Sequence, residues 1–506
     1  MDAKKSGSIW TATIDPLTYA PLDGDRQVEV CIVGAGIAGM TTAYLLARDG
    51  RSVIVLDDGP VGGGMTAATT AHLASALDDR FLEIERLHGE EGSRLAAESH
   101  SAAIDRIASI VEEERIDCDF ERLDGYLFRA PEHDADYLDR EFEAAYRAGL
   151  GVEMVDRTPI PTFGDAPAIR FPSQGRFHPL KYLAGLARAI ERYGGIIHSG
   201  SHVESVEGGE PARVTVGPYT VTANAVVVAT NVPINDLLVI HTKQAPYMSY
   251  VVGIRVPGGS VPDALYWDTG DPYHYIRLQR LDAESDLLIV GGEDHKSGQA
   301  DDTPERYDRL EKWTRERFPM AGPLEFTWAG QVMETIDGLA FIGHNPLDKE
   351  NVYVATGDSG MGMTHGTIAG ILLTDLIVGR PNTWQDLYDP SRKTLRAAGE
   401  FTRETANMAA QFADWVTGGD VDDVDEIARD TGAVVRRGLT KHAVYRDAHG
   451  ALHERSAVCP HLGCIVAWND AAKTWDCPCH GSRFDKFGEV INGPANKGLS
   501  EIEEEE

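Results

Sequence analysis

The sequence is short of basic residues and of long apolar runs. Its 506 residues include 47 Lys and Arg against 80 Asp and Glu, a formal net charge of −33. This excess of negative charge argues against nucleic acid or an anionic membrane as a partner. No apolar run reaches the roughly 18 residues that a membrane span needs, so no span is predicted. No secretory signal is evident, and a cytoplasmic location is expected.

Cysteine is scarce too, but four of the six cysteines fall within one short region. They occur with two histidines in the segments Cys459-Pro460-His461-Leu462-Gly463-Cys464 and Cys477-Pro478-Cys479-His480-Gly481-Ser482. Two thiolates and two imidazoles suit a [2Fe–2S] cluster in which His replaces Cys on one iron. Zinc takes the same ligand types and is the alternative. A [2Fe–2S] cluster moves single electrons, so the rest of the chain should hold an electron source or sink.

These two segments resemble the Rieske iron–sulfur domain. The resemblance implies that Cys459 and Cys477 bind one iron and that His461 and His480 bind the other. Rieske proteins of cytochrome bc-type complexes also have counterparts of Cys464 and Cys479, which implies a disulfide between these two residues. Ring-hydroxylating oxygenases lack that pair.

Two neighbouring positions bear on the expected potential of the cluster. Ser482 matches the family position whose hydroxyl donates a hydrogen bond to a cluster sulfur, whereas Phe484 stands where high-potential members have Tyr. Hydrogen bonds to the cluster raise its reduction potential, and here the Ser482 hydroxyl is present while the Tyr hydroxyl is missing. We therefore predict a reduction potential of roughly 0 to +200 mV, inside the Rieske range of about −150 to +300 mV. Gly493-Pro494-Ala495 resembles the proline loop that covers the cluster.

The beginning of the chain has the pattern of a dinucleotide site. An apolar strand, 28–33, runs into Gly34-Ala35-Gly36-Ile37-Ala38-Gly39, and a helical segment and a second strand ending at Asp57 follow. The glycines allow a tight turn, close approach of a pyrophosphate and close helix packing. The N-terminus of the helix attracts phosphates through its unpaired N–H groups and the helix dipole, and Asp57 can accept hydrogen bonds from a ribose.

Later segments favour FAD over NAD. Loops of small residues follow the second strand. Of two further buried strands, one ends in small polar residues, and the other runs into a glycine-rich turn that begins an apolar helix. Together with 328–330, 337–339 and 341–343, these segments resemble the D-amino-acid oxidase superfamily, which includes glycine and sarcosine oxidases. The resemblance implies an FAD site built from Gly34, Gly36, Ile37, Ala38, Gly39, Asp57, Gly64, Thr66, Thr70, Ala71, His72, Val203, Thr230, Asn231, Gly360, Met361, Gly362, Met363 and Thr364.

The predicted fold class is an α/β (α+β) FAD-binding Rossmann-like domain with a β-rich substrate domain, followed by an all-β Rieske domain. Residues 1–25 are expected to be an irregular lead. The oxidoreductase domain spans 26–395, with the FAD part at about 26–100, 170–240 and 325–395 and the substrate part at 101–169 and 241–324. A helical linker, 396–420, precedes the Rieske domain at 421–506.

The substrate site has the weakest signal in the sequence. In the amino-acid oxidases an Arg and one or two Tyr hold the substrate carboxylate, and Arg offers a fork that matches this group. Strand alternation places Tyr273, Tyr275 and Arg277 on one face, so these three are the candidate catalytic residues. The alternative is that Arg277 pairs with one of the many acids. His72 could tether FAD covalently, as His does in some relatives, or could be structural.

The resemblance implies an FAD-dependent oxidoreductase that oxidises an amine or amino acid by hydride transfer to flavin. Single electrons would then pass to the Rieske cluster and on to an external acceptor. One alternative is an oxidase that reduces oxygen, with the Rieske domain as a redox sensor or docking module. The other is a reductase that works in the reverse direction. A Rieske oxygenase is disfavoured because no separate set of two His and a carboxylate for a non-haem iron is evident.

Overall fold

The computed structural model describes residues 5–131, 133–134, 136–235, 240–415 and 417–502. Two large sheets with packed helices come first, and two small antiparallel sheets follow. The predicted fold class, an α/β flavin-type domain with a β-rich partner and an all-β C-terminal domain, is confirmed. No helix within these ranges combines the length and the apolar character that a membrane crossing requires.

The first large sheet forms around the strand Arg26–Val33. Its inner strands are parallel and mostly buried, which explains their nearly continuous apolar sequences. The strand order is Phe341–His344, Val352–Thr356, Tyr219–Val228, Arg26–Val33, Val53–Leu56 and Ile196–His198, with Ala212–Val216 and Ser205–Glu207 added at the side.

The second large sheet is mainly antiparallel. Three long neighbouring strands form its centre, and a single apolar cluster packs on one side of it. The strand order is Lys5–Ser6, Leu324–Thr335, Gln244–Pro257, Ser285–Lys296, His274–Arg280, Leu265–Asp268, Glu121–Phe128, Ala168–Arg176 and His72–Leu73, and Glu153–Val155 pairs with Ala168–Arg176.

This sheet includes two strands from segments that were assigned from the sequence wholly or mainly to the FAD part. They are Leu324–Thr335 and Ala168–Arg176. The strand Leu324–Thr335 pairs along its length with Gln244–Pro257, and cross-strand pairing rather than sequence position decides which sheet a strand joins.

The N-terminal lead is also more ordered than expected. Lys5 and Ser6 pair in parallel with Phe326 and Thr327, and a short helix, Ile9–Thr13, follows. Trp10 in this helix is fully buried and donates from Nε1 to the carbonyl oxygen of Thr69. A single large apolar side chain thus docks the lead onto the core. Residues 1–4 of the predicted lead lie outside the described residues.

Ten helices lie in the described part of the chain. The longest of them is interrupted at Gly89, where φ is 76°. Their bounds are Ile9–Thr13, Ile37–Arg48, Met65–Ala68, Phe81–Glu114, Tyr137–Arg147, Pro179–Arg192, Thr303–Arg317, Gly362–Val378, Gln385–Tyr388 and Ala398–Gln411. Short 3₁₀ turns cover Pro161–Phe163, His241–Lys243, Leu395–Ala397, Phe412–Trp415 and Val424–Glu426.

The C-terminal domain consists of two small sheets joined by one apolar cluster. The helix Ala398–Gln411 leads into it and contains no buried residue, so the expected amphipathic linker lies on the surface. One sheet contains Thr431–Arg437, Thr440–Arg446 and Leu452–Ser456, and the other contains Ala467–Asn469, Thr474–Asp476, Arg483–Asp485 and Val490–Asn492. Residues 503–506 of the predicted domain lie outside the described residues.

Gly39→Ala should destabilise the protein, because a Cβ atom at Gly39 would lie 1.9 Å from the carbonyl oxygen of Gly34. Forcing the helix Ile37–Arg48 away from its strand should cost about 1–3 kcal/mol and lower the melting temperature, measured by circular dichroism. Gly399→Ala is the control, since a Cβ there meets no atom within 4 Å and alanine favours a helix. Equal melting temperatures for the two variants would contradict the packing argument.

Candidate functional site

One cavity of about 640 Å³ lies between the two large sheets. The carboxyl ends of the parallel strands Arg26–Val33 and Val53–Leu56 form one side of it, and strands of the second sheet form the other. The volume falls within the range of about 300–1,000 Å³ that small-molecule sites occupy. Ligands of open α/β sheets bind just outside the carboxyl ends of the strands, and this cavity lies at that position.

The glycine-rich turn fits the phosphates of a dinucleotide. Gly34 has a φ of 106°, and a Cβ there would lie 2.4 Å from the carbonyl oxygen of Ala229. Gly36 lines the cavity at the N-terminus of the helix Ile37–Arg48, where unpaired N–H groups attract anions. The turn therefore has the shape and the polarity that FAD needs.

Asp57 lies where the ribose-binding acid was predicted. Its carboxylate lines the cavity and accepts hydrogen bonds from the backbone N–H groups of Ala35 (2.6 Å) and Gly59 (2.8 Å). Burial raises the pKa of Asp57 to about 6. Each carboxylate oxygen has a second lone pair, so Asp57 can still accept a hydrogen bond from a sugar hydroxyl.

Most of the predicted cofactor residues meet at this cavity. Those that line it are Gly34, Gly36, Ile37, Ala38, Asp57, Gly64, Thr66, Thr70, His72, Val203, Thr230, Asn231, Gly360, Met361, Gly362 and Met363. Three of the predicted residues do not line the cavity: Gly39, Ala71 and Thr364. Gly39 packs the helix on its strand, the Ala71 carbonyl accepts from Arg277, and Thr364 bonds to the ring of His100.

His72 lines the cavity with both ring nitrogens engaged. Nε2 bonds to the carbonyl oxygen of Ile276 at 3.2 Å, so it must carry the proton, and Nδ1 accepts from the Thr70 hydroxyl at 2.9 Å. Burial lowers the pKa of His72 to about 3, which keeps the ring neutral. These bonds support the structural role of His72 rather than the covalent tether.

The three residues predicted to hold the substrate separate in the structure. Tyr273 and Tyr275 line the cavity with ring centroids 5.3 Å apart. Tyr273 donates its hydroxyl to Asp78 Oδ2 at 2.8 Å, and the Tyr275 hydroxyl shares a hydrogen bond of 2.6 Å with Ser249. The two hydroxyls thus remain candidates for contacts with a bound substrate.

Arg277 does not lie with the two tyrosines at the cavity, so the structure does not bring the predicted substrate clamp together. Its side chain is fully buried outside the cavity lining, against the ring of Trp10. The guanidinium donates to the carbonyl oxygens of Thr70, Ala71 and Phe177, and to Gln279. The helix Ile9–Thr13, which the sequence did not predict, supplies the tryptophan, so Arg277 instead stabilises the segment that carries His72.

The predicted cluster ligands come together in the C-terminal domain. Cys459, Cys477 and His480 are buried, and the rings of His461 and His480 are 5.0 Å apart. Burial lowers the pKa of His461 to about 4 and that of His480 to about 3, so both rings are neutral and can offer a lone pair to iron. The two nitrogens of His461 have no hydrogen-bond partner among the described residues, as expected of a metal ligand.

The other two cysteines of this region form a disulfide. Cys464 and Cys479 are bonded, with Cα atoms 6.4 Å apart, and they tie the two cluster loops together. Their sulfurs also lie within 4.8 Å of Cys477, but bonded sulfurs are not thiolates and do not compete as ligands. The Cys477 thiol beside Cys459 lowers the pKa of Cys459 to about 7. The four remaining ligands therefore fit a [2Fe–2S] cluster.

The Rieske-type domain forms part of the flavin cavity itself. Its residues Val490, Ile491, Asn492, Gly493, Ala495 and Asn496 line the cavity together with the first domain. Asn496 donates to the carbonyl oxygens of Val203 (2.8 Å) and Glu204 (2.9 Å). The loop that the sequence placed over the cluster thus also covers the flavin cavity.

Gln331 connects the cavity to a cluster loop. It lines the cavity and donates from Nε2 to the carbonyl oxygen of Gly481 at 2.8 Å, directly after His480. His241 does not line the cavity, but its buried ring lies 5.0 Å from that of His461 and 5.5 Å from that of His480. Neither Gln331 nor His241 belongs to a local sequence motif, so neither could be singled out from the sequence alone.

Comparisons with known proteins agree with this geometry. Residues 29–376 match the family FAD dependent oxidoreductase, and residues 415–503 match the Rieske [2Fe-2S] domain. A Rieske 2Fe-2S iron-sulfur protein of Bacillus subtilis (strain 168), YhfW, is 32% identical over 502 residues, which cover 98% of this chain and 97% of that protein.

Two further relatives match the flavin-type region. Gamma-glutamylputrescine oxidoreductase of Escherichia coli (strain K12) is 26% identical over 377 residues, 71% of this chain and 87% of that protein. The crystal structure of glycine oxidase from Geobacillus kaustophilus superimposes with a TM-score of 0.61 at 18% identity, covering 73% of this chain and 99% of that one, and shares the fold. The chain belongs to the FAD dependent oxidoreductase family, with a Rieske [2Fe-2S] domain at its C-terminal end.

Proposed function

We propose that this protein is a dehydrogenase that oxidises an amine or amino acid at FAD and releases the electrons singly, through its Rieske cluster, to an external acceptor. One observation carries the proposal: residues of the cluster-bearing domain line the same cavity as the flavin-type residues. A flavin bound in this cavity would therefore adjoin the domain that carries the cluster. A cytoplasmic location stays a prediction from the sequence.

FAD supplies two-electron chemistry at the substrate carbon, and the [2Fe–2S] cluster supplies one-electron transfer. Oxidation of a carbon–nitrogen single bond to an imine removes two electrons and two protons, so each substrate molecule reduces two equivalents of a one-electron acceptor. Water then hydrolyses the imine. Tyr273 and Tyr275 line the cavity, and their hydroxyls would orient the substrate by hydrogen bonding.

Buried hydrogen bonds hold the two domains together beside the cavity. Gln331 holds Gly481 by a hydrogen bond, and Asn492 donates to Gln331 Oε1 from the segment that covers the cavity. Gln331 and Asn492 are buried, so breaking either bond would leave a polar group without a partner at a cost of about 1–3 kcal/mol. These bonds therefore favour one relative position of the two domains.

His461→Ala should separate the two half-reactions, because it removes an iron ligand without touching the cavity. We expect the absorbance of the cluster and the reduction of a one-electron acceptor to be lost, while an amine still bleaches the flavin in anaerobic stopped-flow measurements. His453→Ala is the control, since this half-buried histidine of the same domain pairs with Asp447 and does not bind iron. If the His461→Ala variant still reduces the one-electron acceptor, the proposed electron route through the cluster is wrong.

Oxygen consumption distinguishes the proposed dehydrogenase from the alternative, an oxidase that reduces oxygen. Rapid hydrogen peroxide production by the wild-type protein, with the cluster oxidised throughout turnover, would favour an oxidase in which the Rieske domain has another role. Cluster reduction that follows flavin bleaching within each turnover is the outcome that we expect. Reduction of the cluster by an outside donor with electrons then moving to the flavin would indicate the reverse direction.

His241→Ala tests the path between the sites. The variant removes a buried ring that packs against His461 and His480, so the rate of cluster reduction should fall several-fold while flavin bleaching keeps its rate. His241→Phe retains a ring of similar size and should restore most of the transfer rate. An unchanged rate in His241→Ala, with both cofactors loaded, would exclude this residue from the path.

A further inference from the structure

The part of the cavity lined by the second sheet is acidic. Four carboxylates line it, and they come from four separate segments of the chain. Asp78 precedes the helix Phe81–Glu114, Asp294 and Glu334 belong to strands of the second sheet, and Asp358 follows the strand Val352–Thr356. No Lys or Arg lies among the described residues that line the cavity.

The four carboxylates have no basic partner in the described structure. Asp78 accepts from the Tyr273 hydroxyl and Asp358 from the backbone N–H of Met333, and neither forms an ion pair. Oδ1 of Asp294 is shielded from solvent and has no hydrogen-bond partner among the described residues.

Two arginines lie near these acids, but other groups engage them. Arg80 lies 6.0 Å from the centre of the Tyr273 ring and donates to the carbonyl oxygens of Leu77 and Asp268. Arg306 donates to the carbonyl oxygens of Glu293 and Asp294 and pairs with the carboxylate of Asp302. Both guanidinium charges favour the ionised form of a nearby acid, that of Arg80 for Asp78 and that of Arg306 for Asp294, but neither arginine lines the cavity.

The carboxylates also disfavour one another's ionisation. Burial raises the pKa of Asp294 to about 7 and that of Asp358 to about 6. Burial, with repulsion from the neighbouring acids, raises the pKa of Glu334 well above its usual range. A cation among them would favour their charged forms, whereas a carboxylate would add to the repulsion.

We propose that the substrate is a cationic amine without a carboxylate, and that a diamine binds better than a monoamine. Asp294 and Glu334 hold one ammonium group, and the reacting group R–CH₂–NH₃⁺ gives one proton to a carboxylate. FAD, once bound, would accept the hydrogen of the C–H bond together with its electron pair, as hydride, which would leave R–CH=NH₂⁺. The inference rests on the proposed amine oxidation at the same cavity.

The absence of a cationic clamp supports this substrate class. A substrate carboxylate normally needs a paired guanidinium or a set of donors, and Arg277 is buried elsewhere with its donors engaged. Placing a carboxylate beside four acids juxtaposes like charges, which selects against it. The cavity therefore discriminates by repelling the wrong substrate as well as by attracting the right one.

Four-carbon probes test the inference on the FAD- and cluster-loaded protein. Butylamine, 1,4-diaminobutane and 4-aminobutyrate have the same carbon chain and differ in the group at the far end. Titrations followed by the flavin difference spectrum under anaerobic conditions give a Kd for each probe. We expect 1,4-diaminobutane to bind at least about tenfold more tightly than 4-aminobutyrate, with butylamine between them. Equal or tighter binding of 4-aminobutyrate, or no binding of either amine, would overturn the inference.

Charge-removing variants locate the effect. Glu334→Gln and Asp294→Asn keep the side-chain shape, and each should raise the Kd of 1,4-diaminobutane about tenfold while leaving the Kd of 4-aminobutyrate equal or lower. Glu325→Gln is the matched control, because Glu325 lies on the same strand but pairs with Arg255 outside the cavity. If all three variants change the Kd of every probe by the same factor, the acids have no role in selectivity and the inference fails.

The two proposals fail in different ways. If the amines bind and bleach the flavin but the cluster stays oxidised, the electron route is wrong and the substrate class stands. If carboxylate-bearing probes bind better and the cluster is reduced in turn, the substrate class is wrong and the electron route stands. Measuring the Kd, flavin bleaching and cluster reduction separately gives each proposal its own readout.

Discussion

The position of the Rieske domain on the flavin-type domain is constrained by the buried hydrogen bonds of one side chain, Gln331. Its amide nitrogen donates to the carbonyl oxygen of Gly481, and its amide oxygen accepts from Asn492. The first bond holds the loop that carries His480, and the second holds the segment that covers the cavity. Because a buried amide is stable only when both of its ends are paired, these bonds favour one relative position of the two domains.

A consequence is that the cavity belongs to both domains. Neither the flavin-type domain nor the Rieske domain contains its full lining, since residues 490–496 complete a surface that begins at Gly34. The disulfide between Cys464 and Cys479 ties the two cluster loops together close to this contact. The metal site, the domain interface and the cofactor cavity are therefore parts of one structural unit.

Charge is distributed in the interior in a way that composition alone does not reveal. The sequence carries a net charge of −33, which by itself describes only a well-solvated acidic protein. Inside, however, the fully buried Arg277 donates to backbone carbonyls near His72, and four acids without a basic partner among the described residues line the cavity. The position of these few charges, rather than the total, sets the expected preference for a cation.

The sequence by itself determined the cofactor classes, since both depend on short-range spacing. Gly34, Gly36 and Asp57 lie within one strand–turn–helix–strand unit, and Cys459, His461, Cys477 and His480 lie within two neighbouring loops, so local geometry follows from local order. Only the tertiary structure decided the role of Arg277, the acidic lining of the cavity and the place of Gln331 and His241. These depend on contacts between residues a hundred or more positions apart, and strand pairing and domain packing, which no local pattern encodes, bring them together.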